Sequence, residues 1–88
     1  MIRVYSKTNC QQCRMTERWL QKNNIDYVHE DATDPMNLEA IQALDYTQAP
    51  VVVVSTPAGD RHWSGFNPEK LNWYTKGLGS PNAWQNTP

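Results

Sequence analysis

Two cysteines separated by two residues, Cys10 and Cys13, lie where a strand pattern gives way to a helix pattern, and the chain has no other cysteine. Residues 2–6 alternate apolar and polar side chains as a strand does, whereas residues 14–23 are typical of a helix. Cys10 is therefore expected at a helix N-terminus, where the helix dipole and nearby cations favour the nucleophilic thiolate. A C-x-x-C within a βαβ pattern indicates a redox-active dithiol.

Length, charge and the first residues restrict the function classes. At 88 residues, 39% of them hydrophobic, the chain has room for one small folded domain. A net charge of −1 gives no electrostatic reason to expect nucleic acid or a membrane surface as a partner. The chain starts on a strand pattern without an export signal, and no apolar run approaches the ~20 residues of a membrane span. We therefore expect a cytoplasmic protein, in which a cysteine pair more often cycles or binds metal than forms a structural disulfide.

Strand and helix patterns alternate along the rest of the chain. Asn23-Asn24 ends the first helix because asparagine tolerates the left-handed conformation, while Asp34-Pro35 begins the second helix and Asn67-Pro68 the third. Further strands are predicted over residues 25–29, 51–54 and 61–64, with a turn over 56–60. The order β-α-β-α-β-β-α predicts a thioredoxin-like α/β fold, in which a four-stranded mixed sheet is flanked by three helices.

The spacing of apolar residues predicts an inner face for each helix. These faces comprise Met15, Trp19 and Leu20 on the first helix, Leu38, Ile41 and Leu44 with Ala40 and Ala43 on the second, and Leu71 with either Trp73 or Tyr74 on the third. Gly77 is a suitable residue to end the third helix. We therefore predict a domain over residues 1–77 and a flexible tail over 78–88, which contains Trp84.

The spacing of the cysteines suits a two-step exchange. Two intervening residues bring both sulfurs to the first turn of one helix, with the Cys10 sulfur exposed and the Cys13 sulfur beneath it. Cys10 would attack a substrate disulfide, and Cys13 would then attack Cys10 to release the reduced substrate. Lys7 and Arg14 either stabilise the thiolate or are ordinary solvated charges.

Metal binding and an inert cysteine pair are the alternatives to redox cycling. A structural zinc site needs four ligands, and only His29 and His62 are available to complete one. Their separation along the chain does not resemble a zinc finger, so we predict no metal and interpret both histidines as surface residues. Thiols at a helix N-terminus after a strand are rarely inert, which leaves redox cycling as the preferred interpretation.

Two further segments each allow two interpretations. Pro50 before a central strand is either a tolerated first residue or a cis proline that leaves the Ala49 backbone free to pair with a substrate. The segment Trp63-Ser64-Gly65-Phe66 is either core and turn, or an exposed aromatic patch that docks protein partners. Composition does not separate these interpretations.

Over roughly residues 2–71 the chain resembles the NrdH-type redoxins, small glutaredoxin-like proteins with thioredoxin-like behaviour. The motifs that carry the resemblance are Val4-Tyr5-Ser6-Lys7, Cys10-Gln11-Gln12-Cys13, Gln48-Ala49-Pro50-Val51-Val52 and His62-Trp63-Ser64-Gly65-Phe66-Asn67-Pro68-Glu69. Two positions depart from the family pattern, because Gln11 replaces an apolar residue and Asn67 replaces an arginine.

The resemblance implies an electron donor to class Ib ribonucleotide reductase. It implies no bound cofactor, because the electrons come from NADPH through thioredoxin reductase, and we expect a monomer. By the same resemblance Cys10 is the nucleophile, Cys13 the resolving thiol and Pro50 a cis proline. The predicted partner-binding residues are Gln11, Gln12, Ala49, Pro50, Trp63, Ser64, Gly65 and Phe66.

Two other functions remain open on sequence grounds. The first is a glutathione-dependent glutaredoxin, which needs donors for two carboxylates and an open groove beside the last helix. Such glutaredoxins have a Gly-Gly pair and an acid where this chain has Ser64-Gly65-Phe66, and Phe66 is expected to crowd the groove. The second is a thioredoxin-fold binding module in which the dithiol is incidental.

Overall fold

A computed structural model describes residues 1–75 of the chain. Its elements are β1 (Ile2–Ser6), α1 (Gln11–Lys22), β2 (Val28–Asp31), α2 (Pro35–Ala43), β3 (Val51–Thr56), β4 (Gly59–Ser64) and α3 (Pro68–Thr75). The predicted order β-α-β-α-β-β-α is confirmed. No helix within these residues is long and apolar enough to cross a membrane. The predicted end at Gly77, the tail over 78–88 and Trp84 lie outside the described residues.

The four strands form one mixed sheet in the order β2-β1-β3-β4. β1 is parallel to β2, as the intervening helix requires, and antiparallel to β3, which forms a hairpin with β4. β1 and β3 are therefore the central strands. The end of β1 leads directly into the turn that carries the cysteines. The dithiol therefore lies at the end of a central strand.

Side chains on both faces of the central strands form the core. On the face covered by α1 and α3 the buried residues are Ile2, Val4, Leu20, Val52, Val54, Trp63, Leu71 and Tyr74. On the opposite face the buried cluster is smaller and comprises Ala32, Ile41 and Val51. β3 is thus covered on both faces, and the two packed layers fix the ends of β1 and β3 relative to each other.

The inner face predicted for α2 is wrong except at Ile41. Leu38 and Leu44 are 42% and 37% exposed, and Ala40 and Ala43 are exposed as well. Ile41 is the one buried residue of α2, and it fills the small cluster together with Ala32 and Val51. On α1 the prediction also fails at Met15, which is exposed, while Thr16 is fully buried in its place.

Several predicted boundaries shift because partner strands and caps, not local pattern, define them. α1 begins at Gln11 instead of residue 14, since Cys10 is its N-cap. β2 covers Val28–Asp31 instead of residues 25–29, in register with β1, and β4 begins at Gly59 because the turn is shorter than predicted. The predicted caps hold: Met36 N donates to Asp34 Oδ1, and Lys70 N donates to Asn67 Oδ1, each at 3.0 Å.

Candidate active site

The two cysteines occupy the first turn of α1 and are joined by a disulfide, with their Cα atoms 5.2 Å apart. Cys10 is the N-cap residue, and the backbone N–H of Cys13 donates to Cys10 Sγ over 3.2 Å. Cys10 keeps 9% of its surface exposed and Cys13 keeps 1%. When the pair is reduced, this N–H and the helix N-terminus stabilise negative charge on the Cys10 sulfur, which is also the more accessible of the two.

The Ala49–Pro50 peptide bond is cis, as the second interpretation of this segment predicted. Cys10 Sγ lies 3.6 Å from the carbonyl oxygen of Ala49, so the start of β3 directly adjoins the sulfur. Pro50 itself is buried, and its carbonyl oxygen accepts a hydrogen bond from Gly65 N over 2.8 Å. The half-buried Ala49 backbone is therefore the part of this segment nearest to anything bound at Cys10.

Trp63 belongs to the core and is not part of an exposed aromatic patch, so the first of the two interpretations of this segment holds at this residue. It is only 5% exposed, and its ring stacks on Tyr74 with the ring centroids 5.8 Å apart. The ammonium group of Lys70 lies 5.8 Å from the centroid of the same ring. Trp63 points inward because it alternates with the exposed His62 and Ser64 along β4.

Gln12 connects the dithiol turn to the loop between β4 and α3. Its side-chain oxygen accepts a hydrogen bond from the backbone N–H of Phe66 over 3.0 Å. Gly65 has a φ of +88°, and a Cβ added there would lie 2.9 Å from the same Gln12 oxygen. Ser64 Oγ donates to the carbonyl oxygen of Gln48 over 3.1 Å. The loop thus contacts both the cysteine motif and the segment before Pro50.

The remaining predicted site residues surround the dithiol at the surface. Gln11 is exposed beside Cys10, and Lys7 and Arg14 are exposed on either side of the motif. Phe66 is half-buried and packs against the larger core cluster. Of the eight residues predicted to contact partners, Pro50 and Trp63 are buried, and the other six keep part of their surface exposed.

Neither histidine lies with the cysteines in a cluster suited to metal. His29 Nδ1 lies 2.7 Å from Glu17 Oε1, and His62 Nδ1 lies 2.8 Å from the hydroxyl of Tyr46. Among residues 1–75 no three histidine, cysteine or acidic side chains are grouped so that they could hold a metal ion.

Sequence reasoning missed Glu17 and Ser6. Ser6 Oγ donates to Glu17 Oε2 over 3.1 Å, and Ser6 is only 3% exposed. Glu17 follows Cys13 by four residues on α1 and therefore lies on the same helix face. That spacing was the available signal, but the partners of Glu17 come from β1 and β2 and are visible only in the fold.

Comparison with known proteins identifies similar sequences and structures. The model of the glutaredoxin family matches residues 2–57. The glutaredoxin-like protein NrdH of Escherichia coli K12 is 36% identical over 73 residues, which cover 81% of this chain and 84% of that protein. NrdH of Lactococcus lactis subsp. lactis is also 36% identical over 73 residues, covering 94% of its length.

Solved structures agree with the sequence comparison. The NrdH-redoxin of Escherichia coli superposes with a TM-score of 0.72 at 33% identity, over 81% of this chain and 90% of that one. The thioredoxin-like protein BC3987, as a T8A mutant, gives a TM-score of 0.73 at 26% identity over 84% and 97% of the respective chains. The thioredoxin-like fold is thereby confirmed.

Proposed function

Because the chain belongs to the glutaredoxin family, as an NrdH-type redoxin and thiol-disulfide oxidoreductase, we propose that it donates electrons to class Ib ribonucleotide reductase and is itself reduced by thioredoxin reductase. Two electrons pass from NADPH through the reductase to the Cys10–Cys13 disulfide. They then pass from the dithiol to a disulfide of the target protein. No cofactor needs to be bound for this exchange. The proposed location is the cytoplasm, where NADPH supplies the electrons that reduce the Cys10–Cys13 disulfide again.

In the proposed mechanism the two cysteines have different roles. The Cys10 thiolate attacks the substrate disulfide, which breaks that S–S bond, forms a mixed disulfide and releases one substrate thiolate. Cys13 then loses its proton and attacks Cys10 Sγ, which releases the second substrate thiolate and leaves the Cys10–Cys13 disulfide. The N–H of Cys13, 3.2 Å from Cys10 Sγ, supports this assignment because it stabilises charge on Cys10.

The cis Ala49–Pro50 segment supports a protein disulfide as the substrate. The Ala49 backbone lies next to Cys10 Sγ and is accessible to an extended peptide, which can pair with it as an added strand does. The fixed position of Pro50 under the Gly65 N–H holds that backbone in place. A target cysteine in an extended segment would thereby be aligned with the attacking sulfur.

The hydrogen bond between Phe66 and Gln12 is the observation that carries the preference for thioredoxin reductase over glutathione. Glutathione needs free donors for its two carboxylates in the groove by the last helix. Here the Phe66 N–H already donates to Gln12, and the Phe66 side chain packs against the larger core cluster. A bound tripeptide would have to break this contact without replacing it, which costs affinity.

A coupled assay tests the proposal. Oxidised protein is supplied with NADPH and either thioredoxin reductase or glutathione with glutathione reductase, and NADPH consumption is followed by absorbance. Turnover with thioredoxin reductase is expected, and the double variant Cys10→Ser/Cys13→Ser should show none. Turnover only in the glutathione system would refute the reductase assignment, and turnover in neither would favour a binding module.

A second assay addresses the target. Purified class Ib ribonucleotide reductase is supplied with this protein, thioredoxin reductase and NADPH, in the absence of small thiols. Deoxyribonucleotide formation is expected to depend on the redoxin concentration and to saturate. The absence of product, in a preparation that is active with dithiothreitol, would refute the assigned target while leaving the dithiol chemistry intact.

A further inference from the structure

A cleft opens on the side of α1 that faces β2. It has a volume of about 250 Å³ and is bounded by the end of β1, the first turns of α1 and β2. Cys13 lines this cleft together with Ser6, Glu17 and His29. The cleft is therefore a route between the resolving cysteine and solvent that does not pass the substrate-facing sulfur of Cys10.

The Glu17 carboxylate is held in this cleft by two partners. Ser6 Oγ donates to Oε2 over 3.1 Å, while Oε1 lies 2.7 Å from Nδ1 of His29. The Glu17 side chain is 19% exposed and that of His29 is 57% exposed. The three side chains thus form a connected series that runs from the buried Ser6 to the solvent-facing imidazole.

The exchange requires Cys13 to lose a proton although its side chain is almost completely buried. Cys13 is 1% exposed, and burial disfavours the thiolate that must attack Cys10. A base in contact with the same cleft removes this obstacle. Glu17 lies four residues after Cys13 on α1, so the two side chains are neighbours on one helix face.

We propose that Glu17 accepts the proton of Cys13 during resolution of the mixed disulfide and that His29 passes it to solvent. This inference rests on the proposed dithiol function. In the step, the Cys13 S–H proton moves to the Glu17 carboxylate, the Cys13 sulfur bonds to Cys10 Sγ, and the substrate thiolate departs with the electron pair of the broken bond. His29, which acts through Glu17, is a positioning residue that also orients the carboxylate.

The other ionisable groups at the cleft are less suited to this role. Lys7 and Arg14 are cations, which favour a thiolate by their charge but do not serve as its base. Asp31 accepts two hydrogen bonds from Thr33, and these lower its pKa and make it a weaker base. Tyr27, which also faces Glu17, has its pKa raised, first by burial, and stays protonated.

A single-turnover reaction of the reduced protein with the aromatic disulfide dithiobis-nitrobenzoate separates the attack by Cys10 from the attack by Cys13. Attack by Cys10 releases one coloured nitrothiobenzoate, and attack by Cys13 on the mixed disulfide releases the second. Stopped-flow absorbance with one equivalent of reagent should therefore show two phases. Glu17→Gln keeps the shape of the side chain and removes the base, and we expect it to slow the second phase at neutral pH at least about tenfold while the first phase changes less than about twofold.

The pH dependence distinguishes a base from a structural contact. In the unmodified protein the rate of the second phase should rise with pH up to neutrality, and this rise should be absent in Glu17→Gln. At high pH, where hydroxide removes the Cys13 proton directly, the two proteins should converge. His29→Asn, at an exposed position, should slow the second phase less than Glu17→Gln does and shift its profile.

Glu39→Gln, the same chemical change on the exposed side of α2, is the matched control and should leave both phases unchanged. An unchanged second phase in Glu17→Gln would overturn the inference, as would equal slowing of both phases at every pH. If Glu17→Gln does not fold, the test rests on His29→Asn alone. An unaltered pH profile of its second phase would then overturn the inference. If the unmodified protein releases only one nitrothiobenzoate, the proposed dithiol function itself fails.

Discussion

The side-chain oxygen of Gln12 accepts a hydrogen bond from the backbone N–H of Phe66 over 3.0 Å, which links the dithiol turn to a loop 54 residues further along the chain. The contact holds the loop between β4 and α3 against the first turn of α1. It also places a constraint on Gly65, because a Cβ at that position would lie 2.9 Å from the same oxygen.

We expect Gln12→Ala to change the preference for a reductant. Without its acceptor the Phe66 N–H becomes available, so turnover with glutathione should rise relative to turnover with thioredoxin reductase, measured by NADPH consumption. The free energy of unfolding should fall by about 1 kcal/mol, the usual value of one hydrogen bond. Gln11→Ala is the control, because Gln11 is exposed in the same motif, and it should lie within about 0.5 kcal/mol of the unmodified protein. An unchanged reductant ratio in Gln12→Ala would contradict the role given to this contact.

Gly65→Ala should reduce both stability and activity. The φ of +88° is unfavourable for alanine by about 1–3 kcal/mol, and the new Cβ would lie 2.9 Å from Gln12 Oε1 and displace it. Gly59→Ala is a matched comparison, since Gly59 also has a positive φ (+113°) but its Cβ would meet only Arg61 Nη1 at 3.7 Å. Chemical denaturation and the coupled assay should show a loss of stability in both variants and a loss of activity only in Gly65→Ala. In the Gln12→Ala background, Gly65→Ala should lower the free energy of unfolding by less than it does in the unmodified protein. Strictly additive losses from the two substitutions would argue against a shared contact.

The order of elements and the position of the dithiol follow from local patterns, which is why the sequence was sufficient to predict them. A β-branched run, an N-cap before a proline and a C-x-x-C after a strand each act over a few residues. Ile25 and Tyr27 show where this fails: they pack against the core as predicted for a strand, but from a loop, because β2 takes its register from β1. The Gln12–Phe66 and Ser6–Glu17–His29 contacts join separate elements, and no spacing along the chain indicates them.

The unequal burial of two leucines predicts unequal costs on truncation. Leu71 on α3 is completely buried, so Leu71→Ala should lower the free energy of unfolding by about 2–5 kcal/mol through lost burial and the cavity left behind. Leu44, at the C-cap of α2, is 37% exposed, and Leu44→Ala should cost less than about 1 kcal/mol. Urea denaturation followed by tryptophan fluorescence measures both. Similar costs for the two variants would contradict the unequal packing of Leu71 and Leu44.

Substitution of each cysteine separately tests the assignment of nucleophile and resolving thiol. Cys10→Ser removes the more accessible sulfur, which accepts the hydrogen bond from the Cys13 N–H, so disulfide reduction should fall to background. Cys13→Ser keeps the attacking sulfur and removes the second step, so the protein should accumulate as a covalent mixed disulfide with its target. Non-reducing gel electrophoresis and intact-mass measurement detect this species, which dithiothreitol should release. Full turnover by Cys13→Ser with a protein disulfide would mean that an external thiol resolves the intermediate, and trapping by Cys10→Ser instead would reverse the two roles.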